Sequence, residues 1–203
     1  MTLDRPSLAI DDLDVAAPGA FAAAVAPLFE GARGFLGRLA MARPFGSAEA
    51  MFARAREIAH MMPLDEQLEL VDAHPRLGAP PATVSALSHE EQGYGGSDGE
   101  RPGHTAGATP ADADSVAAAA PDTAERRQVA DELERLNDAY EARFGFRYCV
   151  FVAGRPRAAL LPGMADALDA ERDAELERAL DAVIDIAQAR YATLTAAASE
   201  GPP

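Results

Sequence analysis

Val129, Leu133, Leu136, Tyr140 and Phe144 recur at i, i+4, i+7, i+11 and i+15, a spacing that gathers all five on one stripe of a single helix. A second stripe, Leu176, Leu180, Val183, Ala187 and Leu194, runs through a longer helix expected over residues 170–197. Helices with one apolar face hide it by packing on other elements, so two stripes of this length demand further helices around them. Shorter stripes supply these. Phe21, Val25, Leu28 and Phe29 follow Pro18, and Met51, Phe52, Ala55, Ile58 and Ala59 lie between Ala48 and His60, where Ser47 is placed to cap. Leu64, Leu68 and Val71 mark a short helix from Pro63 to near Ala73. Gly31, Gly34 and Gly37 weaken the helical pattern of Phe35, Leu36 and Leu39. The residues are 48% hydrophobic but only 6% aromatic, and abundant alanine with few β-branched runs favours packed helices over sheets. The expected fold is all-α.

One segment departs from this. Residues 146–153 (FRYCVFVA) form a short, nearly continuous apolar run. A single strand makes no sheet, so the run is expected as a buried extended segment wedged among helices, released from the preceding helix by Gly145. The expected layout is a single-domain bundle over residues 18–198, with tails at 1–17 and 199–203. Residues 93–123, rich in Gly, Ala, Pro, Asp, Ser and Thr, are expected to be a mobile insertion.

A net charge of −15 argues against nucleic acid or an anionic membrane as partner. No apolar run approaches the ~20 residues needed to cross a bilayer, and the N-terminus lacks the basic-then-apolar pattern of a signal peptide. The single cysteine, Cys149, excludes an internal disulfide and fits a reducing cytoplasm. All 18 basic residues are arginine. Without lysine there is no Schiff base to a carbonyl or to pyridoxal phosphate, and no P-loop.

The polar residues that stand out lie between Asp72 and Gln92. Pro75 disfavours helical geometry at His74, so an imidazole is presented where a helix stops. Ser88, Glu91 and Gln92 follow at i, i+3 and i+4, able to share one helical face. Each has an ordinary reading beside the functional one. His74 would be favoured at a helix end by the macrodipole alone, and S-x-x-E is also a capping box. Arg190 interrupts the apolar stripe of the last helix and needs a partner; Asp185 and Glu200 are candidates if it merely reaches the surface. His60, His89 and His104 take the ordinary reading, sitting on a helix, beside the motif and in the 93–123 segment, and Cys149 reads as an inert buried thiol. With no HExxH and no Cys/His cluster, no metal is expected.

Four motifs in order resemble the OHCU decarboxylases, enzymes acting on 2-oxo-4-hydroxy-4-carboxy-5-ureidoimidazoline (OHCU). They are Ala73-His74-Pro75-Arg76-Leu77-Gly78; Ser88-x-x-Glu91-Gln92; Leu136-Asn137-x-x-Tyr140-x-x-Arg143-Phe144-Gly145-Phe146; and Ile186-Ala187-x-x-Arg190. The resemblance spans most of residues 21–194 outside the 93–123 segment. It implies a helical homodimer that forms (S)-allantoin without cofactor or metal. It also implies His74 as the catalytic histidine, with Glu91 beside it raising the imidazole pKa toward a proton donor near neutral pH. Pro75, Ser88 and Gln92 would contact substrate, the backbone of Tyr148, Cys149, Val150, Phe151 and Val152 would read the ring edge, and Arg190 would hold substrate oxygens by a bidentate fork. Three departures mark a divergent member. Arg76 stands where an acid often follows His-Pro, the 93–123 segment is long, and Ala153 fills an arginine slot with Arg155 and Arg157 nearby. Two rival readings remain, an acidic helical interaction module and a lyase or hydrolase of a related ureide.

Overall fold

The structure is a computed structural model that describes residues 7–79, 85, 87–88 and 123–199. In chain order it contains α1 (Ile10–Val15), α2 (Pro18–Val25), a 3-10 turn (Ala26–Phe29), α3 (Arg33–Met41), α4 (Ala48–Met61) and α5 (Leu64–Asp72). There follow α6 (Thr123–Phe144), a second 3-10 turn (Arg157–Leu160), α7 (Leu161–Ala167) and α8 (Arg172–Ser199). No strand occurs among the described residues, so the fold is all-α as expected.

The last helix is the floor of the bundle. Ala179, Leu180, Val183, Ile184 and Ala187 of α8 are buried against α4, α5 and the first 3-10 turn. Above it α3 packs on α2, α4 and α5, and the rings of Phe29 and Phe35 meet with centroids 4.8 Å apart. Each such fully buried aromatic or aliphatic side chain contributes roughly 1.5–3 kcal/mol, and this burial holds the helices together.

Local chemistry sets the helix ends. The Ser47 hydroxyl accepts from the Ala50 amide at 3.1 Å, the anticipated cap of α4. The glycines around α3 do not prevent its forming, because Glu69 of α5 supplies what the local sequence lacks. Its carboxylate accepts from the Arg33 and Gly34 amides at the helix N-terminus, where the macrodipole also favours an anion. A Cβ on Gly34 would sit 2.8 Å from that carboxylate, so glycine permits the approach. α6 stops at Gly145, whose φ of +79° is the left-handed geometry that glycine tolerates.

The expected tail over residues 1–17 is corrected from Ile10 onward. Leu13 is buried, the Asp14 carboxylate accepts from the Phe45 and Gly46 amides, and Arg43 donates to the carbonyls of Leu13 and Ala16. A short amphipathic turn too weak to read by periodicity is thus fastened by side chains from the α3–α4 connection. The expected insertion over 93–123 lies outside the described residues except for Thr123, which opens α6. Of the expected C-terminal tail, Ser199 instead ends α8, and residues 200–203 lie outside the described residues.

Residues 147–152 carry no regular secondary structure, and Phe146, Tyr148, Cys149 and Val152 are buried. A lone extended segment has no neighbouring strand to satisfy its backbone, and buried backbone groups need partners. Arginines and one aspartate take that role. The Arg147 amide donates to Asp72 Oδ1 at 2.9 Å, and the Arg178 guanidinium donates to the Cys149 carbonyl at 2.9 Å. Arg155 folds back onto the carbonyls of Phe151 and Val152. Arg178 is itself fixed by the carboxylate of buried Glu175, which also accepts from the Tyr140 hydroxyl, and lies 4.8 Å from the Tyr148 ring centre.

Candidate active site

His74, Pro75, Ser88, Arg190 and the segment from Tyr148 to Val152 line one cavity of about 110 Å³. A single water needs only ~10–15 Å³, so the space suits a small ring compound. Four stretches of chain, around residues 74–77, 88, 148–154 and 186–190, therefore meet here. Ala153 and Gly154, with φ of +51° and +71°, carry the backbone around its rim. Glu91 and Gln92 lie outside the described residues, as do His89 and His104.

His74 sits just beyond the end of α5 and is only 4% exposed. Arg147 donates to both the Asp72 and His74 carbonyls, at 2.7 and 2.9 Å, which fastens the helix exit to the extended segment. The ring Nδ1 lies 3.3 Å from the Leu70 carbonyl. A carbonyl only accepts, so this contact assigns the proton to Nδ1 and leaves Nε2 with a bare lone pair. That atom is buried and has no partner among the described residues. The expectation of a raised imidazole pKa is overturned. Burial first, and the Arg190 charge second, lower it to about 4 against the opposing pull of Glu30 and the Leu70 carbonyl. The imidazole is neutral at pH 7 and enters the cavity as a proton acceptor rather than a donor.

Arg190 is 2% exposed and does not reach toward Asp185, which pairs with Arg56 instead. Its terminal nitrogens donate to the Pro27 carbonyl at 3.0 Å and to the Ser88 hydroxyl and Glu30 carboxylate, each at 2.8 Å. The anticipated fork is turned largely toward the protein, so its charge reaches the cavity already compensated. The Ser88 hydroxyl engages two charged side chains. It donates to Glu30 Oε1 at 2.6 Å while accepting from Arg190. Glu30 also accepts from the Ser85 hydroxyl at 2.9 Å. Burial alone would push the Glu30 carboxyl up, but the Ser88 hydroxyl, the Arg190 charge and the Ser85 hydroxyl outweigh it and hold the group below the usual carboxylate range.

Glu30 is the residue that motif reasoning missed. Its signal is its isolation, as the sole acid between Asp14 and Glu49. His60 takes the ordinary role expected of it, with Nε2 2.8 Å from Asp181 on the partly exposed face of α4. Cys149 is a buried thiol in no disulfide, and its carbonyl is held by Arg178. No group of three or more metal-ligating side chains occurs among the described residues, and no described helix is long and apolar enough to cross a membrane.

The family profile described as OHCU decarboxylase matches residues 15–106 and 99–192, nearly the whole chain. The chain belongs to the OHCU decarboxylase family. Among its relatives is the 2-oxo-4-hydroxy-4-carboxy-5-ureidoimidazoline decarboxylase of Halalkalicoccus jeotgali, 26% identical over 188 residues that cover 93% of this chain and 92% of that one. The uric acid degradation bifunctional protein PucL of Bacillus subtilis is 24% identical over 91% of this chain, which spans about a third (32%) of that longer protein. A crystal structure of OHCU decarboxylase in the presence of (S)-allantoin superposes with a TM-score of 0.56 at 22% identity, covering 81% of this chain and 92% of that one. The shared helical fold agrees with the family assignment.

Proposed function

We propose that the protein is a carboxy-lyase that converts OHCU to (S)-allantoin, a step of urate degradation, without a cofactor. The observation that carries this is the meeting of His74, Ser88, Arg190 and the Tyr148–Val152 backbone around one cavity, in a chain of this family.

The residue types suit the chemistry. OHCU bears a hydroxyl and a carboxylate on one ring carbon, next to a ring C=N bond. Loss of carbon dioxide pushes its electron pair into that bond, so the substrate is its own electron sink. The enol left behind must surrender its hydroxyl proton while the neighbouring carbon gains one. A neutral imidazole with its lone pair in the cavity does both in turn. His74 Nε2 takes the hydroxyl proton and returns it to the carbon from one face, which makes a single enantiomer. The ring nitrogen that received the electron pair takes a proton from solvent, which balances the charge. The extended segment offers backbone groups to the ring's amide edge, held still by Arg178 and Arg155. Pro75, Glu91 and Gln92 complete the substrate contacts in this reading, and Glu91 assists the proton transfer.

The same reading carries a cytoplasmic homodimer acting on a small molecule, with no nucleic-acid or membrane partner; the charge of −15 supports that last point. Circular dichroism of freshly generated OHCU tests the activity. Wild type is expected to give optically active allantoin faster than spontaneous decay, and His74→Ala to lose most of that acceleration. Wild type that leaves the decay rate unchanged would refute the assignment. An interaction module would show no turnover and no binding of (S)-allantoin.

A further inference from the structure

We propose that Glu30 is a positioning residue of this site: its carboxylate compensates Arg190 and anchors Ser88, so that the anionic substrate is held without its carboxylate being locked in place. The inference rests on the decarboxylation reading above and assigns a role to a residue that none of the four motifs contains.

The geometry is specific. Glu30 ends the first 3-10 turn with φ +49° and ψ +25°, left-handed geometry that side chains rarely adopt. Among the described residues only one other non-glycine, Ala153, has positive φ, and it lines the cavity into which Glu30's partners Ser88 and Arg190 also project. Such backbone persists where the surroundings over-determine it, and it gathers at functional sites. The bend sends the Glu30 side chain inward, where its Oε1 collects three donors: the Ser85 and Ser88 hydroxyls and the Arg190 guanidinium. The Glu30 side chain is 14% exposed and that of Arg190 1%. An arginine so buried needs an acid beside it. The contact also joins the first 3-10 turn to α8 and to the stretch that leads, three residues after Ser88, to Glu91.

The consequence follows from charge. OHCU carries its carboxylate into the site, and as neutral carbon dioxide departs that negative charge passes into the ring C=N bond, away from where the carboxylate lay. An uncompensated guanidinium would bind the carboxylate tightly before the reaction and lose that attraction along the way. Stabilising the ground state alone raises the barrier to the transition state. Glu30 removes this trap. It also supports the basicity of His74, because its negative charge opposes the effect of Arg190 on the imidazole.

Glu30→Gln is the test, since the amide oxygen can still accept from Ser88 and Arg190 while the charge is gone. With the full chain and freshly generated OHCU, KM is expected to fall about threefold or more and kcat to fall at least tenfold. The Kd of (S)-allantoin, which carries no carboxylate, should stay within about twofold of wild type by calorimetry. A merely structural role predicts otherwise: KM rises as kcat falls, and (S)-allantoin binding weakens in parallel. That pattern, or unchanged kinetics, overturns the proposal. Should Glu30→Gln fail to fold, Glu30→Asp carries the test, because the shorter carboxylate keeps its charge but withdraws by roughly one bond length, ~1.5 Å. The same split is then expected at smaller amplitude, and a rise in KM or no change overturns the proposal. Absence of turnover by wild type defeats the functional reading and this proposal together; normal wild-type turnover with the wrong split in the variants defeats this proposal alone.

Discussion

Replacing His74 with asparagine removes a titrating group while leaving an amide able to donate to the Leu70 carbonyl in place of Nδ1. An unfolded histidine titrates near 6.5, and in the folded protein burial and then Arg190 lower His74 to about 4. Between those values the unfolded chain binds a proton that the folded chain refuses. This group's contribution to stability is therefore complete above pH 6.5 and is lost as the pH falls toward 4. From pH 8 to pH 4.5 the loss is roughly 2–3 kcal/mol, a substantial fraction of the ~5–15 kcal/mol that holds a domain folded. Carboxylates also titrate in this range. Glu30, held below its ordinary value, likewise contributes stability that disappears as the pH falls below that of an unfolded carboxylate. The informative quantity is accordingly the difference between the two proteins. Urea unfolding at half-unit steps from pH 4.5 to 8 should show wild type losing about 2–3 kcal/mol more than His74→Asn on acidification. Parallel curves would mean that His74 titrates alike in both states, and the argument for a neutral, base-competent imidazole would fall.

Two other outcomes are expected. Arg178→Met leaves the buried Glu175 carboxylate without its guanidinium and the Cys149 carbonyl without its donor. Leaving a buried carboxylate without its cation costs up to about 3–5 kcal/mol, and the urea midpoint should fall accordingly; a loss under ~1 kcal/mol would show that the pair is idle. Leu13→Ala, at a side chain 1% exposed, should cost about 2–5 kcal/mol by the same assay, whereas a residue in a tail would cost nothing measurable.

The helices could be read because their cause is local. Leu133, Leu136 and Tyr140 repeat with the period of the helix that buries them, and Ser47 carries its capping oxygen three residues ahead of the amide it binds. Arg190 was legible for the opposite reason, as a violation of its own stripe. What escaped depends on partners far away in sequence. α1 is a single amphipathic turn fixed by Arg43 and by Asp14 reaching the Phe45 and Gly46 amides, and no window around Leu13 contains those contacts. Glu30 and Arg190 are 160 residues apart, and nothing near Glu30 announces that a guanidinium waits for it. The charge state of His74 went astray through a similar omission. A neighbouring acid was anticipated, but the depth of burial and the nearby cation, which together decide the outcome, belong to the assembled bundle.

The arginine fastening of residues 147–152 has a mechanical consequence. In a sheet, a strand borrows its rigidity from the ladder beside it and changes shape with its neighbours. Here the wall of the cavity hangs from individual guanidinium tethers, one to the exit of α5 through Arg147 and one to α8 through Arg178. A slide of α8 against α5 would tug the two ends of that wall in different directions. The spacing of the amides and carbonyls offered to a bound ring is thus tuned by how two helices sit, and a substitution far from the cavity can reset it without touching anything that lines it.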